Sequence, residues 1–308
     1  MSVALQPVSA AGTPALHRRL MAGQTGPVLV LVLIIIAAWY IGSYGLNSPF
    51  QRDLDRRAEV TRTFPDFVVA SLNQPKPTLP APHQVAVDLY QTVLVAKPWK
   101  PASLVYHAWV TLSSTLLGFA LGTLLGIVIA VAIVHARSLE RSLMPWIIAS
   151  QTIPILAIAP MVIVVLASIG IKGLLPKAII STYLSFFPVT VGMVKGLRSP
   201  DPILLDLMRT YSASRAQVFW KLRVPASVPF LFASMKVAIA ISLVGAIVGE
   251  LPTGAASGIG SRLLIGSYYS QTIQLFSALI AASVVAALLV TIVGVLNRIV
   301  LSRMGARR

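Results

Sequence analysis

Six stretches of the chain carry no charged residue or only one: 27–45, 108–134, 142–171, 178–194, 224–249, where Lys236 is the single interruption, and 263–297. Crossing a hydrocarbon layer takes about 20 apolar residues at roughly 1.5 Å each, so every run is long enough, or nearly so, to span a bilayer. The pattern predicts an all-α integral membrane protein with about six transmembrane helices. A cationic pair, Arg18 and Arg19, precedes the first run as it would a signal peptide. The run is too long for a signal's apolar region, however, and no small-x-small cleavage site follows, so a retained helix is expected. Between 46 and 104 the pattern lapses: eight of the 21 prolines and five of the nine acidic residues fall there, marking an extramembranous segment. Within it Val85, Leu89 and Val93 recur every four residues, which suits a short amphipathic helix lying along the membrane face. The expected organisation is a tail over 1–26, a first span over 27–45, the proline-rich segment over 46–104, a five-helix core over 105–300 and a tail over 301–308.

Composition agrees. Of 308 residues 56% are hydrophobic and 11% charged, and the mean hydropathy is +0.82, too apolar for a water-soluble fold. The net charge of +16 sits between the apolar runs and not in a basic stripe interleaved with aromatics, so nucleic acid is not an expected partner. Short loops fix the orientation. Arg137 and Arg141, six basic residues between Lys195 and Arg223, and Arg298, Arg303, Arg307 and Arg308 belong in the cytoplasm. With an even number of spans both termini then lie inside, and the proline-rich segment, the 171–177 turn and the 250–262 loop lie outside.

There is no cysteine, and His17, His83, His107 and His135 are widely separated, so neither a metal site nor thiol chemistry is expected. From residue 108 onward the acids are Glu140, Asp201, Asp206 and Glu250, each at a loop or span end. That pattern disfavours a proton-coupled carrier and, with no base at the depth of the span serines, an intramembrane hydrolase. Lys236 is read as the one charge inside a span; it either snorkels to the surface or lines a conduit and favours anions. Gly118, Gly122 and Gly126 share one helix face and suit close packing. Pro154 and Pro160 remove backbone donors from the third span, giving an ordinary kink or a local unwinding that would make Gln151 and Thr152 pathway residues. Glu250 is a further weak candidate for the pathway.

The loop over 198–225 is the most informative stretch. After Arg198-Ser-Pro-Asp-Pro202, residues Ile203, Leu204, Leu207, Met208 and Tyr211 follow the pattern of an amphipathic helix. Ser212, Ala213 and Ser214 interrupt it. A second short helix from Arg215 carries Val218, Phe219 and Leu222 and is expected to stop at Val224-Pro225. An apolar and aromatic knob ringed by Arg209, Arg215 and Lys221 suits docking into a partner's groove.

This loop resembles the signature of the permease subunits of ATP-binding cassette importers: Glu-Ala-Ala, three residues, Gly, nine residues, Ile-x-Leu-Pro. Here the spacing is filled by Asp206-Leu207-Met208, three residues, Ser212, nine residues and Leu222-Arg223-Val224-Pro225. Asp206 then stands at the acidic position, Ser212 at the turn glycine and Pro225 at the final proline, with departures at Leu207, Met208 and Ser212. The resemblance extends from about Leu79 and is nearest to the nitrate, taurine and aliphatic sulfonate group. Leu79-Pro-Ala-Pro82, Thr111-Leu112, Gly118-Phe119, Phe186-Phe187-Pro188, Gly196-Leu197-Arg198 and Glu250 before Gly258-Ile259-Gly260 support it by order and distance. It implies a type I importer permease with a coupling helix in a bacterial inner membrane, and a conduit built by two permease copies or by a paralogous pair. It also implies a separate ATPase dimer that itself holds ATP and Mg and docks on the coupling loop, and a periplasmic or lipid-anchored solute-binding protein. No G-x-x-x-x-G-K-[ST] loop occurs, so nucleotide phosphates are not expected to bind this chain in that way. The solute implied is an oxyanion or sulfonate, or a pyrimidine-type precursor.

Overall fold

The computed structural model describes residues 25–252 and 257–305, and among these every regular element is a helix. The expected tail over 1–26 lies almost wholly outside the described residues, as do Arg307 and Arg308. In chain order the helices are α1 (Thr25–Arg57), α2 (Phe64–Leu72), α3 (Pro82–Leu89), α4 (Leu104–His135), α5 (Arg137–Ser150), α6 (Ile155–Ser168), α7 (Leu174–Leu197), α8 (Pro202–Thr210), α9 (Arg215–Val218), α10 (Val224–Glu250), α11 (Ile259–Tyr268) and α12 (Thr272–Arg303). Wide π-helical turns follow α3 (Tyr90–Val95) and α9 (Phe219–Arg223). Five single stretches are long and apolar enough to cross a membrane, and the pair α5 and α6 makes a sixth if counted as one broken span. The chain divides into two compact units, 1–84 and 85–308.

In the first unit α1 runs for 33 residues, about 50 Å at the helical rise, well past the 27–45 run. Its polar end persists because it serves the proline-rich stretch that follows, whose backbone has few partners of its own. Trp39 Nε1 donates to Pro80 O at 2.9 Å, and Asn47 Nδ2 donates to Leu79 O while its Oδ1 accepts the Thr78 N–H at 2.8 Å. Gln74 Nε2 closes the staple on Asn47 O and Gln51 Oε1, each at 3.1 Å.

In the second unit α7 lies between α4 and α10. A methyl group built at Gly126 would meet Phe186 O at 2.8 Å, and one at Gly245 would meet Ser181 Cα at 2.8 Å, so these backbones approach as closely as the absence of a side chain allows. Gly118 and Gly122 lie on the same face of α4, against Ser181 and Ser185. Hydroxyls then bind the three helices to one another: Ser181 Oγ donates to Ser242 O and Ser242 Oγ to Thr115 O, both at 2.9 Å. Ala130, Ile133, Ile147, Val189 and Leu197 form the apolar core at one end of this trio.

One expectation is sharpened and two are corrected. The 142–171 run is not one continuous helix: it bends by 97° between α5 and α6, at the proline whose missing donor allowed for a kink or local unwinding. Pro154 caps α6 in an extended conformation, and a proline disfavours helix at the residue before it, so the break falls over Gln151 to Pro154. The 263–297 run is likewise two helices. Ser270 takes a left-handed conformation at φ 54°, Gln271 N–H returns to Gly266 O at 2.8 Å, and bare Gly266 lets Leu275 of α12 fold back against α11. Finally, Val224-Pro225 does not stop the second short helix. The π turn has Val224 N–H reaching Phe219 O, and this wider winding accommodates the proline ring, so the chain continues directly into α10. The same widening at Tyr90–Val95 carries Val93 off the face that Val85 buries.

Candidate functional site

The loop over 198–225 is built from two capped helices at an elbow. Asp201 caps α8, its carboxylate accepting the Ile203 N–H at 2.9 Å, and Pro202 fills the first helical position where no donor is needed. α8 presents its apolar row outward: Ile203 is 75% and Tyr211 76% exposed, with Leu204 and Leu207 beside them. Its end is a Schellman turn: Ser212 N–H donates to Arg209 O at 2.8 Å and Ala213 N–H to Met208 O at 3.0 Å. Ser212, at φ 49°, occupies the left-handed position that normally calls for glycine. One residue later a capping box starts α9, with Gln217 N–H on Ser214 Oγ at 3.3 Å and Ser214 N–H on Gln217 Oε1 at 2.8 Å. The two helix axes are therefore fixed relative to one another by hydrogen bonds on either side of Ala213.

Of the loop residues expected to act together, Asp206, Arg209, Tyr211, Ser212, Ser214 and Arg215 are exposed. Asp206 accepts from Arg209 at 2.9 Å, both in solvent. Val218 and Phe219 do not join the exposed knob. They turn inward, half-buried, and Phe219 meets His135 of α4 edge-on at 5.0 Å, while Trp220 takes the outward position. Pro225 is half-buried in the first turn of α10. The loop is anchored by a bidentate pair that spacing did not reveal: Arg198 Nη1 and Nη2 donate to the two Glu140 oxygens at 2.7 and 2.8 Å. Those hydrogen bonds hold the Glu140 carboxyl below its ordinary range and raise the Arg198 guanidinium further.

The four pathway candidates are not brought together. Gln151 and Thr152 sit at the α5–α6 bend, where Thr152 Oγ1 donates to Ala149 O. Lys236 is half-buried on α10, its Nζ 3.9 Å from where a side chain on Gly294 of α12 would begin. Glu250 is 14 residues further along α10, roughly 21 Å away at the helical rise, and has no exposure.

Glu250 instead centres a buried cluster. Thr111 Oγ1 donates to its carboxylate at 3.0 Å and accepts the Ile259 N–H at 2.8 Å; the Gly260 N–H reaches Oε2 at 2.7 Å, and Lys177 Nζ lies 3.5 Å from Oε1. Lys177 also donates to Ser257 O at 3.4 Å. His107 donates from Nε2 to Pro101 O at 2.8 Å, which in the neutral ring leaves Nδ1 to accept the Gly258 N–H at 2.9 Å. Three backbone groups of the turn after α10 and the start of α11, Ser257 O, Gly258 N–H and Ile259 N–H, are thus tied to α4 and α7. Lys177, 5% exposed, shows that Lys236 is not the sole charge within a span. The signal that could have found the pair is an acid just past one apolar run and a base just before another, at ends that meet. A cavity of about 530 Å³ adjoins it, lined by Ile163, Val164, Ile171, Lys172 and Lys177. The cluster offers no nucleophile beside a free base, and among the described residues no group of three acids, histidines or cysteines could hold a metal.

Residues 122–306 match the family model of the binding-protein-dependent transport system inner membrane component. The chain is 32% identical over 174 residues to a "probable ABC transporter permease protein" of Haemophilus influenzae, covering 56% of this chain and 69% of that one. It is 30% identical over 185 residues to the formylaminopyrimidine transport permease protein ThiX of Halalkalibacterium halodurans, covering 59% and 68%. It is 29% identical over 221 residues to the riboflavin transport system permease protein RibX of Chloroflexus aurantiacus, covering 72% and 78%.

Proposed function

This chain belongs to the family of binding-protein-dependent transport system inner membrane components, and from that premise we propose that loop 198–225 is the grip through which a separate ATPase drives it. The chain is the multi-pass permease subunit of an ATP-binding cassette importer for small solutes. In the proposed working complex two permease copies, or this chain and a paralogue, form the conduit. A dimer of ATPase subunits, which holds ATP and Mg, sits on the cytoplasmic side, and a periplasmic or lipid-anchored binding protein delivers solute. Both termini then lie in the cytoplasm of a bacterial cell, and the Glu250 cluster faces the outside.

The observation that carries this reading is the rigid elbow at Ser212. A lever transmits motion only if its two arms cannot flex against each other, and here a Schellman turn and a capping box lock α8 to α9 across Ala213. α8 presents Ile203, Leu204, Leu207 and Tyr211 to a partner, and α9 continues through the π turn into α10. Closure of the ATPases around nucleotide would push α8 and turn α10, switching the conduit between outward and inward access. The solute class proposed is an oxyanion or sulfonate or a pyrimidine-type precursor. The formylaminopyrimidine in the name of ThiX supports the second of these.

The test is uptake into liposomes carrying the permease with its ATPase and binding protein. Ser212→Gly should keep ATP-driven uptake, because glycine adopts the left-handed turn freely, whereas the β-branched Ser212→Val should lose most of it at a cost of about 1–2 kcal/mol to the turn. Uptake by the chain alone, driven by an ion gradient, or full activity in Ser212→Val, would overturn the reading.

A further inference from the structure

On the inner side of the elbow lies a cavity of about 400 Å³ with a strongly basic lining. It is bounded by Arg209 from α8, Arg215 from α9, Arg223 from the π turn and His135 at the end of α4, with Ala213, Val218 and Phe219 completing the wall. No carboxylate lines it. Asp206, the nearest acid in sequence, is occupied with Arg209 on the exposed surface, and among the described residues neither Arg215 nor Arg223 forms an ion pair. His135 spends one ring nitrogen on its own helix, Nδ1–H donating to Val131 O at 2.8 Å, so Nε2 is its remaining polar atom.

With Arg209 already paired to Asp206, Arg215 and Arg223 are the two guanidinium groups of the lining that have no carboxylate, and an anion between them would relieve their mutual repulsion. Guanidinium forks match the oxygens of a phosphate, each able to give two parallel charge-assisted hydrogen bonds. The depth of the cavity argues for the same chemistry. His135 is the last residue of one membrane-spanning stretch, and Arg215 and Arg223 lie in the first turns of another. Exposed Trp220 beside them is the side chain usual at the headgroup layer. The cavity therefore opens where the phosphates of the cytoplasmic leaflet lie, a leaflet rich in anionic lipid.

We propose that Arg209, Arg215 and Arg223 form a phosphate-binding site behind the coupling elbow, with His135 in its wall, filled by the headgroup of an anionic phospholipid or by free phosphate from the cytosol. Occupancy bridges α8, α9, the π turn and α4, and so stiffens the lever at its root. The site is a different surface from the outward apolar row of α8, and its existence does not require that the row docks an ATPase.

The test is the rate at which phenylglyoxal, an arginine-specific reagent, modifies each arginine of the full-length protein, read peptide by peptide by mass spectrometry. Four preparations are compared: nanodiscs of phosphatidylcholine alone, the same with phosphatidylglycerol, phosphatidylcholine with inorganic phosphate, and phosphatidylcholine with the ATPase subunit. Phosphatidylglycerol or inorganic phosphate should slow modification of Arg215 and Arg223 by roughly tenfold, the ratio expected when about 1.4 kcal/mol of contact must be broken first, and should leave Arg298 and Arg303 nearly unchanged. Slowing in the phosphatidylglycerol arm alone assigns a lipid headgroup; slowing by inorganic phosphate assigns a soluble source as well. Equal slowing at Arg298 and Arg303 would reduce the effect to general surface attraction and overturn the site. Slowing only with the ATPase subunit would overturn it too, making the arginines part of the protein contact. In Arg223→Gln the protection of Arg215 should fall; unchanged protection would contradict a shared ligand.

Discussion

Lys177 and Glu250 form an ion pair closed off from solvent, and a buried pair of that kind is unforgiving of single changes. Each partner alone would be an uncompensated charge in an apolar setting, whereas removing both leaves hydrogen bonds that neutral groups can keep. Lys177→Met is expected to destabilise the protein by about 3–5 kcal/mol, read as a lowered midpoint of thermal unfolding in detergent, and Lys177→Met with Glu250→Gln to recover a large part of it. A double variant as unstable as the sum of the single ones would show that the two charges act independently. Thr111 and Gly260 are the reason Gln is the chosen replacement, since both donate to the carboxylate and can serve an amide oxygen in its place. Glu250 was legible in the sequence as a polar residue at a span end, but its partner was not. Lys177 follows a short polar turn, and only the packing of α7 against α10 shows that this base meets that acid.

At the scale of elements, the joint between α5 and the end of α7 is the bidentate Glu140–Arg198 pair. The Glu140 carboxyl titrates below its ordinary 4.5 in the folded protein because Arg198 donates two hydrogen bonds to its charged form. A depressed folded value means the joint contributes fully above the unfolded carboxylate's range and is lost as pH falls through the lower folded one. The thermal midpoints of wild type and Arg198→Gln should therefore differ by a constant amount above about pH 4.5 and converge as the medium is acidified further. A gap that persists unchanged into strong acid would assign the stabilisation to something other than this carboxylate. The pair is partly exposed, so the effect will be small. Uncharged runs located the long helices well, because a span must be apolar along its length whatever it packs against. They could not locate the breaks at Gln151–Pro154 and Tyr269–Gln271, where the apolar character continues while the backbone turns. Serine at φ 54° in the second break carries no glycine to announce it, just as Ser212 announces nothing at the elbow.

For the whole molecule, the family was legible because the loop's spacing survives where its residue types do not. Twelve residues between the turn and the proline are needed to complete α9, the π turn and the entry to α10, and that length is independent of whether the turn residue is glycine or serine. The inward rotation of Val218 and Phe219 was not legible, since an amphipathic pattern gives a face but not what it faces. In the proposed reading the elbow is a stiff arm in the cytoplasm with its apolar row turned to the ATPase. The chain has no cysteine, so a single one can be introduced as a reporter. The most direct measurement places Tyr211→Cys in the permease and joins it with a short bifunctional thiol-to-amine reagent in the assembled transporter, with Trp109→Cys at the opposite end of the core as control. The account predicts a cross-linked band containing the ATPase subunit from the first position and not from the second, with the first labelled by an impermeant thiol reagent only in inside-out vesicles. Labelling of Tyr211→Cys from outside intact cells, or no ATPase in its cross-linked product, would contradict it.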